Sequence, residues 1–405
     1  MRRRIGLMVS LGPLLFALPA LAQPPFAIQW GAPGSGPGEF AGISGLAVDP
    51  SGNVYAADFY NHRVQKFTST GSFVHQLDST GTNTGLEISP TAVTCDASGN
   101  VYVTDYTNDR VLKYAGNGAF MLRWGSPGTT RGRFYNPNGI AVDDSGNVYV
   151  ADEAHRIQKF SGDSVFVKDW GGPGPLNGQL SYPEELAVDA AGNIYVCDTV
   201  NRRIQVFTRA GVFVLAWGTT GSGNGQFNSA PGVAVDGTGN VYVADTYNHR
   251  IQTFTTAGVF QNTWGTFGSG VGQFNRPFSV AVDGVGNVYV ADNGNSRIQK
   301  FGTSQGQKAP VSVGAPAGSG LSLDWSGSNP AVRDVRVSFT LVSSEPASLE
   351  VFDVRGSRLM AQAVGEMGAG SHSVTLSQGA LSVGLYLVRL SQAGRSLSVK
   401  GAVLR

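Results

Sequence analysis

The side chains with the clearest chemical potential are an aspartate, a histidine and an arginine in NVYVADTYNHRIQTF, residues 240–254. An acid beside a histidine could serve in general acid–base catalysis, and histidines can hold a zinc ion. Nearly the same segment recurs five more times along the chain. A catalytic group is needed only once, so this recurrence favours a structural role.

Two aspartates recur in every copy. The first begins D-x-x-G-N, a pattern in which a carboxylate accepts hydrogen bonds from amides two or three residues later and glycine supplies the left-handed turn conformation. The second opens D-x-x-N-x-R, where we expect the same turn-capping role, helped by Asn108, Asn248 and Asn295. We expect the arginine to pair with a repeat aspartate, within its own unit or in the next.

Three histidines, His62, His155 and His249, occupy one position in alternate copies. In the repeat architecture derived below, this position lies outside the innermost strand, so the three would be on the order of 20 Å apart. A zinc ion needs each nitrogen at about 2.0–2.1 Å. His75 and His372 have no partners at metal-ligand spacing. We therefore predict no metal, no other cofactor and no catalytic residue.

The repeat has a nearly constant period, which identifies the architecture. The aspartates that end its second apolar run are Asp58, Asp105, Asp152, Asp198, Asp245 and Asp292. A fixed period near 47 residues is typical of a solenoid or a propeller. Each unit contains four short apolar runs separated by turns, as in residues 232–264, which predicts four antiparallel strands. Six such units predict a six-bladed β-propeller.

The two ends of the repeat region complement each other. The sixth unit lacks the final F-x-x-x-W strand that most units have, and this strand occurs instead at Phe26–Trp30. We predict that residues 23–305 form the propeller and that strand 26–30 closes the last blade, which would leave no exposed sheet edge.

The full pattern G-x-F-x-x-P-x-G-V-A-V-D-x-x-G-N-V-Y-V-A-D-x-x-N-H-R-I-Q-x-F resembles the NHL repeat, over residues 31–304. The second unit departs most from it, at Leu77, Glu87 and Cys95. One branch of this group is a lyase of peptidyl-hydroxyglycine with zinc histidines in the channel, but the first strands here, such as GLAVD and ELAVD, contain no histidine. Another branch binds RNA through a basic surface, whereas residues 23–305 hold 17 basic and 22 acidic residues. We therefore expect no nucleic-acid partner.

Positions that vary between the units indicate where a ligand would bind. Residues at the start of each first strand and after each second aspartate should meet on one face of the propeller, around the mouth of the channel. The predicted ligand-binding residues are Ser44, Phe59, Tyr60, Thr91, Tyr106, Asn138, Glu184, Tyr247 and Phe278. Exposed aromatic rings favour an extracellular protein, peptide or glycan as the partner. The alternative is a lyase or hydrolase acting on extracellular peptide or carbohydrate, with a channel metal held by backbone and acidic groups.

The N-terminal segment MRRRIGLMVSLGPLLFALPALA has arginines, an apolar run and a small-x-small site, which predicts a cleaved signal peptide over residues 1–22. No other segment approaches the length of a membrane span. The two cysteines, Cys95 and Cys197, lie in non-adjacent units and are predicted to be buried free thiols.

A Pro/Gly/Ser-rich linker, residues 306–316, precedes seven short apolar runs in residues 317–405, which predict an immunoglobulin-like β-sandwich. The markers Asn329-Pro330, Phe352 to Arg358 and Gly384-Leu385-Tyr386 resemble the type IX secretion C-terminal sorting domain and the sandwich of flagellar-hook-cap proteins. The resemblance implies secretion machinery as a partner and a location outside the outer membrane, secreted or on the cell surface. An ordinary adhesive module is the alternative. The whole chain is thus predicted to be all-β, a propeller followed by a sandwich, acting as a non-catalytic binding protein.

Overall fold

A computed structural model describes residues 24–78, 87–302 and, further on, 322–326, 335–341, 343, 345–353, 357–364, 367, 370–376, 384–393 and 395–403. The chain divides into two compact units, residues 1–302 and 303–405. The predicted signal peptide and the predicted linker lie outside the described residues. Strands dominate both units, and the described ranges contain no α-helix.

The described part of the first unit contains six four-stranded sheets, each antiparallel and ordered as in the sequence except the sixth. Sheets 1 and 2 are β2 (Ile43–Val48), β3 (Val54–Asp58), β4 (Arg63–Phe67), β5 (Phe73–Leu77), and β6 (Pro90–Cys95), β7 (Val101–Asp105), β8 (Arg110–Tyr114), β9 (Phe120–Trp124). Sheets 3 and 4 are β10 (Pro137–Val142), β11 (Val148–Asp152), β12 (Arg156–Phe160), β13 (Phe166–Gly171), and β14 (Pro183–Val188), β15 (Ile194–Asp198), β16 (Arg203–Phe207), β17 (Phe213–Trp217). Sheet 5 is β20 (Gly232–Val235), β21 (Asn240–Asp245), β22 (Arg250–Thr255), β23 (Phe260–Trp264), and sheet 6 is β24 (Pro277–Val282), β25 (Val288–Asp292), β26 (Arg297–Phe301) with β1 (Phe26–Trp30).

Short elements join these strands. A parallel pair, β18 (Thr219–Thr220) and β19 (Gln226–Phe227), lies in the connection before sheet 5. Single-turn 3₁₀ helices follow the second strand in four sheets: η1 (Phe59–Asn61), η2 (Tyr106–Asn108), η3 (Thr246–Asn248) and η4 (Asn293–Asn295). The four-stranded repeat predicted from the sequence is confirmed, and the fold is that of an all-β propeller.

The first repeat aspartate shapes the hairpin between strands one and two. Asp49 accepts backbone N–H bonds from Ser51 and Asn53 at 2.9 and 2.8 Å, and its second oxygen accepts the Asn53 side-chain amide. Gly52 takes the left-handed conformation, with φ +82°. The predicted turn role is confirmed, although the amides lie two and four residues onward. A tyrosine hydroxyl from strand two adds a further bond, as between Tyr149 and Asp143 at 2.9 Å.

The second repeat aspartate works differently from the prediction. Its side chain does not cap any of the four 3₁₀ helices. Asp245 is fully buried and accepts bonds from the Asn248 amide, Arg250 Nε and the Gln252 amide, and from the backbone N–H of Asn228 in the preceding connection. The capping prediction holds for Asp152, which accepts the N–H of Ala154, and was wrong for the other five units, where an amide of the preceding connection is the donor. The predicted Asp–Arg pair is confirmed within each unit.

The first sheet packs against both the second and the sixth. The first strand of each sheet contacts the first strands of the neighbouring sheets, and β2 contacts β24 of sheet 6 as well as β6. β1 pairs antiparallel with β26, so the chain just after residue 23 supplies the outer strand of sheet 6. Trp30 lies between Tyr289 of that sheet and Phe67 of sheet 1, with ring centroids 6.3 and 6.0 Å away. Such tryptophans therefore join successive sheets.

The second unit of the repeat keeps the fold with different side chains. Glu87 is exposed at the position where the other units bury Phe or Leu, and the next residue, Ile88, is fully buried. Leu77, in place of a tryptophan, packs in the same hydrophobic cluster as Ile88 and Tyr114. Both cysteines are free thiols, as predicted. Cys197 is buried, as predicted, whereas Cys95 is half-buried.

The described part of residues 303–405 forms two antiparallel sheets. One contains β27 (Ser322–Ser326), β28 (Val335–Leu341) and β31 (Gly370–Leu376), and the other contains β29 (Ala347–Asp353), β30 (Arg358–Ala363), β32 (Gly384–Gln392) and β33 (Arg395–Val403). Buried side chains from both sheets, such as Phe339, Leu349 and Val388, form one hydrophobic cluster.

The buried Asp–Arg pairs lead to a stability prediction. We expect Arg250→Met to lower the free energy of unfolding by about 3–5 kcal/mol, because Asp245 would remain buried without its cation. Arg209→Met, which removes a surface pair with Asp144, should lower the free energy of unfolding far less, because solvent screens that pair. Urea unfolding followed by tryptophan fluorescence measures both, and equal losses would contradict the structural role.

The closing strand leads to a second prediction. We expect Trp30→Ala to lower the free energy of unfolding of the compact part formed by residues 1–302 by about 3 kcal/mol, because the ring packs against two sheets. Ile28→Ala, an exposed position on the same strand, serves as the control and should cost less than about 1 kcal/mol. Thermal unfolding of the full chain compares them, and an unchanged midpoint for Trp30→Ala would show that β1 does not hold sheet 6 to sheet 1.

Candidate functional site

A cavity of about 380 Å³ lies where the first strands begin. All six varied positions at the start of these strands line it: Ser44, Thr91, Asn138, Glu184, Pro231 and Phe278. Phe59, Tyr60 and Tyr106 line it as well, so eight of the nine residues predicted from the sequence come together. Tyr247 does not belong to the lining; it is 54% exposed, and the Arg276 guanidinium lies 5.8 Å from its ring centre.

The second repeat aspartates position the rim of this cavity. Asp58 accepts the Ala41 N–H at 2.9 Å, and Phe59 N–H donates to the Gly42 carbonyl at 2.9 Å. These two bonds join the connection before sheet 1 to the turn after its second strand. Gly42 is required here because a Cβ would approach the Tyr60 ring to 2.8 Å. The scaffold thus holds Phe59 and Tyr60 at the mouth of the cavity.

The side chains of two of the predicted polar residues are hydrogen-bonded to neighbouring sheets. Ser44 Oγ donates to the Pro90 carbonyl at 2.9 Å, and Thr91 Oγ1 contacts the Pro137 carbonyl at 3.0 Å. Their hydroxyl groups therefore link sheet 1 to sheet 2 and sheet 2 to sheet 3. The lining also contains the amide side chains of Asn138 and Asn293 and the carboxyl groups of three glutamates.

Three glutamates line the cavity, and the sequence reasoning selected only one of them. Glu153 accepts the Tyr106 hydroxyl at 2.8 Å and the Asn136 amide at 2.9 Å. Glu184 and Glu185 are adjacent on the first strand of sheet 4. Glu153 follows a second aspartate, like Phe59, and Glu185 takes the place of Gly, Ala or Ser in the other first strands, so the sequence did contain both signals.

Glu185 links four sheets across the axis. Its Oε1 accepts the Ser279 hydroxyl of sheet 6 at 2.7 Å, and its Oε2 accepts the Val233 N–H of sheet 5 at 3.1 Å. Ser279 Oγ in turn accepts the Leu46 N–H of sheet 1 at 3.0 Å. Burial raises the pKa of Glu185 well above its ordinary value. Glu185 therefore bridges the first strands of neighbouring sheets.

Glu184 differs from its neighbour because one of its oxygens is unpaired. Its Oε2 is buried and has no hydrogen-bond partner among the described residues. Burial raises the pKa of Glu184 to about 7, and repulsion from Glu153 adds to the effect. Burial and the bond to Glu153 likewise raise the pKa of Tyr106. Near neutral pH, Glu184 can therefore gain or lose a proton.

The repeat histidines lie in turns rather than in a shared site. His62, His155 and His249 each have positive φ, between 54 and 63°. The Nδ1 atoms of His155 and His249 accept backbone N–H bonds from Tyr182 and Arg276. In the part of the chain that is described, no group of three His, Cys, Asp or Glu is placed to hold a metal ion.

Family comparisons agree with this geometry. The NHL repeat matches residues 40–67, 134–160, 180–207, 227–254 and 274–301, and the secretion system C-terminal sorting domain matches residues 329–403. The chain carries NHL repeats and a secretion sorting domain. The unmatched unit is the second, which has the substitutions at Leu77, Glu87 and Cys95. The sorting domain indicates type IX secretion to the cell surface or the extracellular space.

Several solved structures resemble the NHL propeller. A streptogramin B lyase is 16% identical, with 67% of this chain and 85% of the other covered and a TM-score of 0.47. Virginiamycin B lyase from Staphylococcus aureus is 13% identical, with 65% and 95% covered and a TM-score of 0.47. PorZ of Porphyromonas gingivalis, a surface component of the type-IX secretion system, is 13% identical, with 92% and 60% covered and a TM-score of 0.45. No curated protein matches the chain significantly.

Among the described residues, no helix has the length and apolar character needed to cross a bilayer.

The raised pKa of Glu184 leads to a pH prediction. Its pKa is about 7 in the folded chain against an ordinary 4.5, so the folded state binds the proton more tightly. The resulting stability is fully present below the ordinary pKa and is lost as pH rises through the folded value. We expect Glu184→Gln to remove this loss, which changes the difference in unfolding free energy between about pH 5 and pH 8 by on the order of 1–3 kcal/mol.

Urea unfolding at the two pH values measures this difference. Glu345→Gln, which changes an exposed glutamate outside the cavity, is the control and should retain the pH dependence of the unchanged chain. A Glu184→Gln variant that also retains it would contradict the assignment.

Proposed function

We propose that this protein is an exported, non-catalytic binding protein whose propeller recognises an extracellular peptide, protein or glycan through the cavity at the channel mouth. The sorting domain directs export through the secretion machinery, and its two sheets form an immunoglobulin-like sandwich. The six four-stranded sheets form a six-bladed propeller, with β1 closing the last blade.

One observation carries this proposal. The positions that vary between units, rather than those that repeat, converge on a single cavity, and the rings of Phe59, Tyr60, Tyr106 and Phe278 line it. Its volume of about 380 Å³ is in the range of small-ligand sites and would hold a small molecule or one side chain of a larger partner. Tyr60 is 70% exposed, which is unusual for a ring that serves only packing.

The non-catalytic role is supported by how the repeated reactive groups are used. The buried second aspartates, their arginines and the turn histidines make bonds within the scaffold. A lyase or hydrolase remains the alternative, because a carboxyl group with a pKa of about 7, such as Glu184, suits general acid–base chemistry near neutral pH.

Array screening tests the proposal. The full chain should bind members of a peptide or glycan array, and Tyr60→Ala and Phe278→Ala should each weaken a hit by about 10-fold or more, as loss of a buried aromatic anchor does. Phe267→Ala removes an exposed ring outside the cavity and is the control. Tyr247→Ala separates the two site definitions, since a loss there would support the wider rim predicted from the sequence.

Two outcomes would contradict the proposal. Hits that bind both cavity variants with unchanged affinity would place the binding surface elsewhere. Mass spectrometry of the hits after incubation would reveal a catalytic function if a cleaved product accumulates and Glu184→Gln abolishes its formation.

A further inference from the structure

Within the described part of the chain, the ionisable groups that line the cavity include several carboxyl groups and no basic group. Glu153, Glu184 and Glu185 contribute three carboxyl groups, and no lysine or arginine occurs among the described residues that line it. These acids come from sheets 3 and 4, whereas Phe59 and Tyr60 come from sheet 1 and Phe278 from sheet 6. The lining therefore combines carboxyl groups with aromatic rings.

Only one of the three acids has an unused acceptor. Both oxygens of Glu185 accept bonds from neighbouring sheets, and both oxygens of Glu153 accept bonds from Tyr106 and Asn136. Glu184 Oε2 is buried without a partner among the described residues. An unpaired buried acceptor is costly, and a donor supplied by a ligand would remove the cost.

The aromatic rings of the lining are the second feature that suits a cation. Phe59 contacts Tyr60 and Tyr106 edge to face, with centroids 5.1 and 6.3 Å apart. Aromatic faces attract ammonium and guanidinium groups, most strongly where water is excluded. The scaffold already contains this kind of contact at Tyr247, where Arg276 lies over the ring.

We propose that the cavity binds an organic cation, with its positive group beside Glu184 and Glu153 and its carbon atoms against Phe59, Tyr60 and Phe278. The ligand is an amine or the Lys or Arg side chain of a peptide, whose N–H groups can donate to Glu184 Oε2. This inference rests on the proposed binding function and specifies its ligand class. A volume of about 380 Å³ accommodates such a group.

Binding should depend on pH because a cation favours the ionised form of Glu184. The groups that act on this carboxyl are Glu153, Glu185, Thr199 and the buried thiol of Cys197. Below about pH 7 a proton must leave Glu184 before the cation pairs with it, so the affinity should fall by up to about 10-fold for each pH unit.

Isothermal titration calorimetry of the full chain tests the inference with defined probes. Nα-acetyl-lysine methylamide and Nα-acetyl-arginine methylamide represent peptide side chains, and 3,3-dimethylbutylamine represents a free ammonium ion. Nα-acetyl-norleucine methylamide and 3,3-dimethylbutanol are their neutral counterparts. We expect at least one cation to bind about 10-fold or more tightly than its neutral counterpart, and the tighter class identifies the source of the ligand.

Variants locate the site. Glu184→Gln should weaken the cation by about 10- to 100-fold and remove the pH dependence, because it deletes a charge-assisted bond. Phe278→Leu keeps an apolar side chain but removes the face of the ring, and it should lower the affinity for the cation by about 2- to 30-fold. Glu87→Gln, an exposed glutamate outside the cavity, should bind as the unchanged chain does. Circular dichroism checks that each variant is folded.

The outcomes separate this inference from the proposed function. If a neutral peptide or glycan binds and Phe278→Ala lowers its affinity, the proposed function is upheld and the inference of a cationic ligand is overturned. Calcium or zinc binding that Glu184→Gln abolishes, with no organic cation bound, would also overturn it. Cations that bind equally well to Glu184→Gln would show that the charge of this cavity plays no part.

Discussion

The propeller depends on a buried carboxylate repeated in every sheet, the aspartate that ends the second strand. Each of these six side chains is fully buried, and an ionised carboxylate removed from water destabilises a fold unless donors surround it. Here the donors are an arginine, a backbone amide from the preceding connection or turn and, in most units, an asparagine and a glutamine. The arginine also donates to carbonyl groups of that connection, as Arg250 does to Gly223 and Gln226. One buried charge therefore helps to fix a long loop, together with buried apolar side chains such as Phe227 and Ala230.

This constraint separates the scaffold from the surface that it carries. The bonds that hold the rim use backbone groups and repeat residues, as between Asp58 and Ala41, so the neighbouring side chains at the cavity can differ from sheet to sheet. The cavity is accordingly not sixfold symmetric. Phe59, Tyr106 and Glu153 line it, whereas the equivalent Thr199 and Thr246 are buried and their hydroxyl groups point to carbonyls of the next sheet. The asymmetry matters for the binding function proposed above, because a symmetric ring of positions would offer a small ligand six equal and weak sites.

Periodicity in the sequence was sufficient to predict the four strands of each unit, the Asp–Arg pairs and most of the cavity lining. The strands and the Asp–Arg pairs follow from contacts within one unit, and the cavity lining was predicted from the positions that differ between units. The contacts that were missed join distant parts of the chain. The donor to Asp245 lies in the preceding connection, Glu185 meets Ser279 across the axis, and Tyr247 faces Arg276 rather than the cavity. Glu185 departs from the small residues at the same position in the other first strands, but only the arrangement of those strands shows what it contacts.

The two adjacent glutamates illustrate how neighbouring positions on one strand can differ in role. Glu185 is held between sheets by Ser279 and Val233 and behaves as a structural bridge. Glu184 precedes it on the same strand, its Oε2 has no hydrogen-bond partner among the described residues, and its pKa of about 7 leaves it divided between two protonation states. A neutral carboxyl avoids the cost of an unpaired buried charge while no cation is present. An arriving cation reverses that balance by favouring the ionised form, so the proton that leaves Glu184 couples binding to the acidity outside the cell.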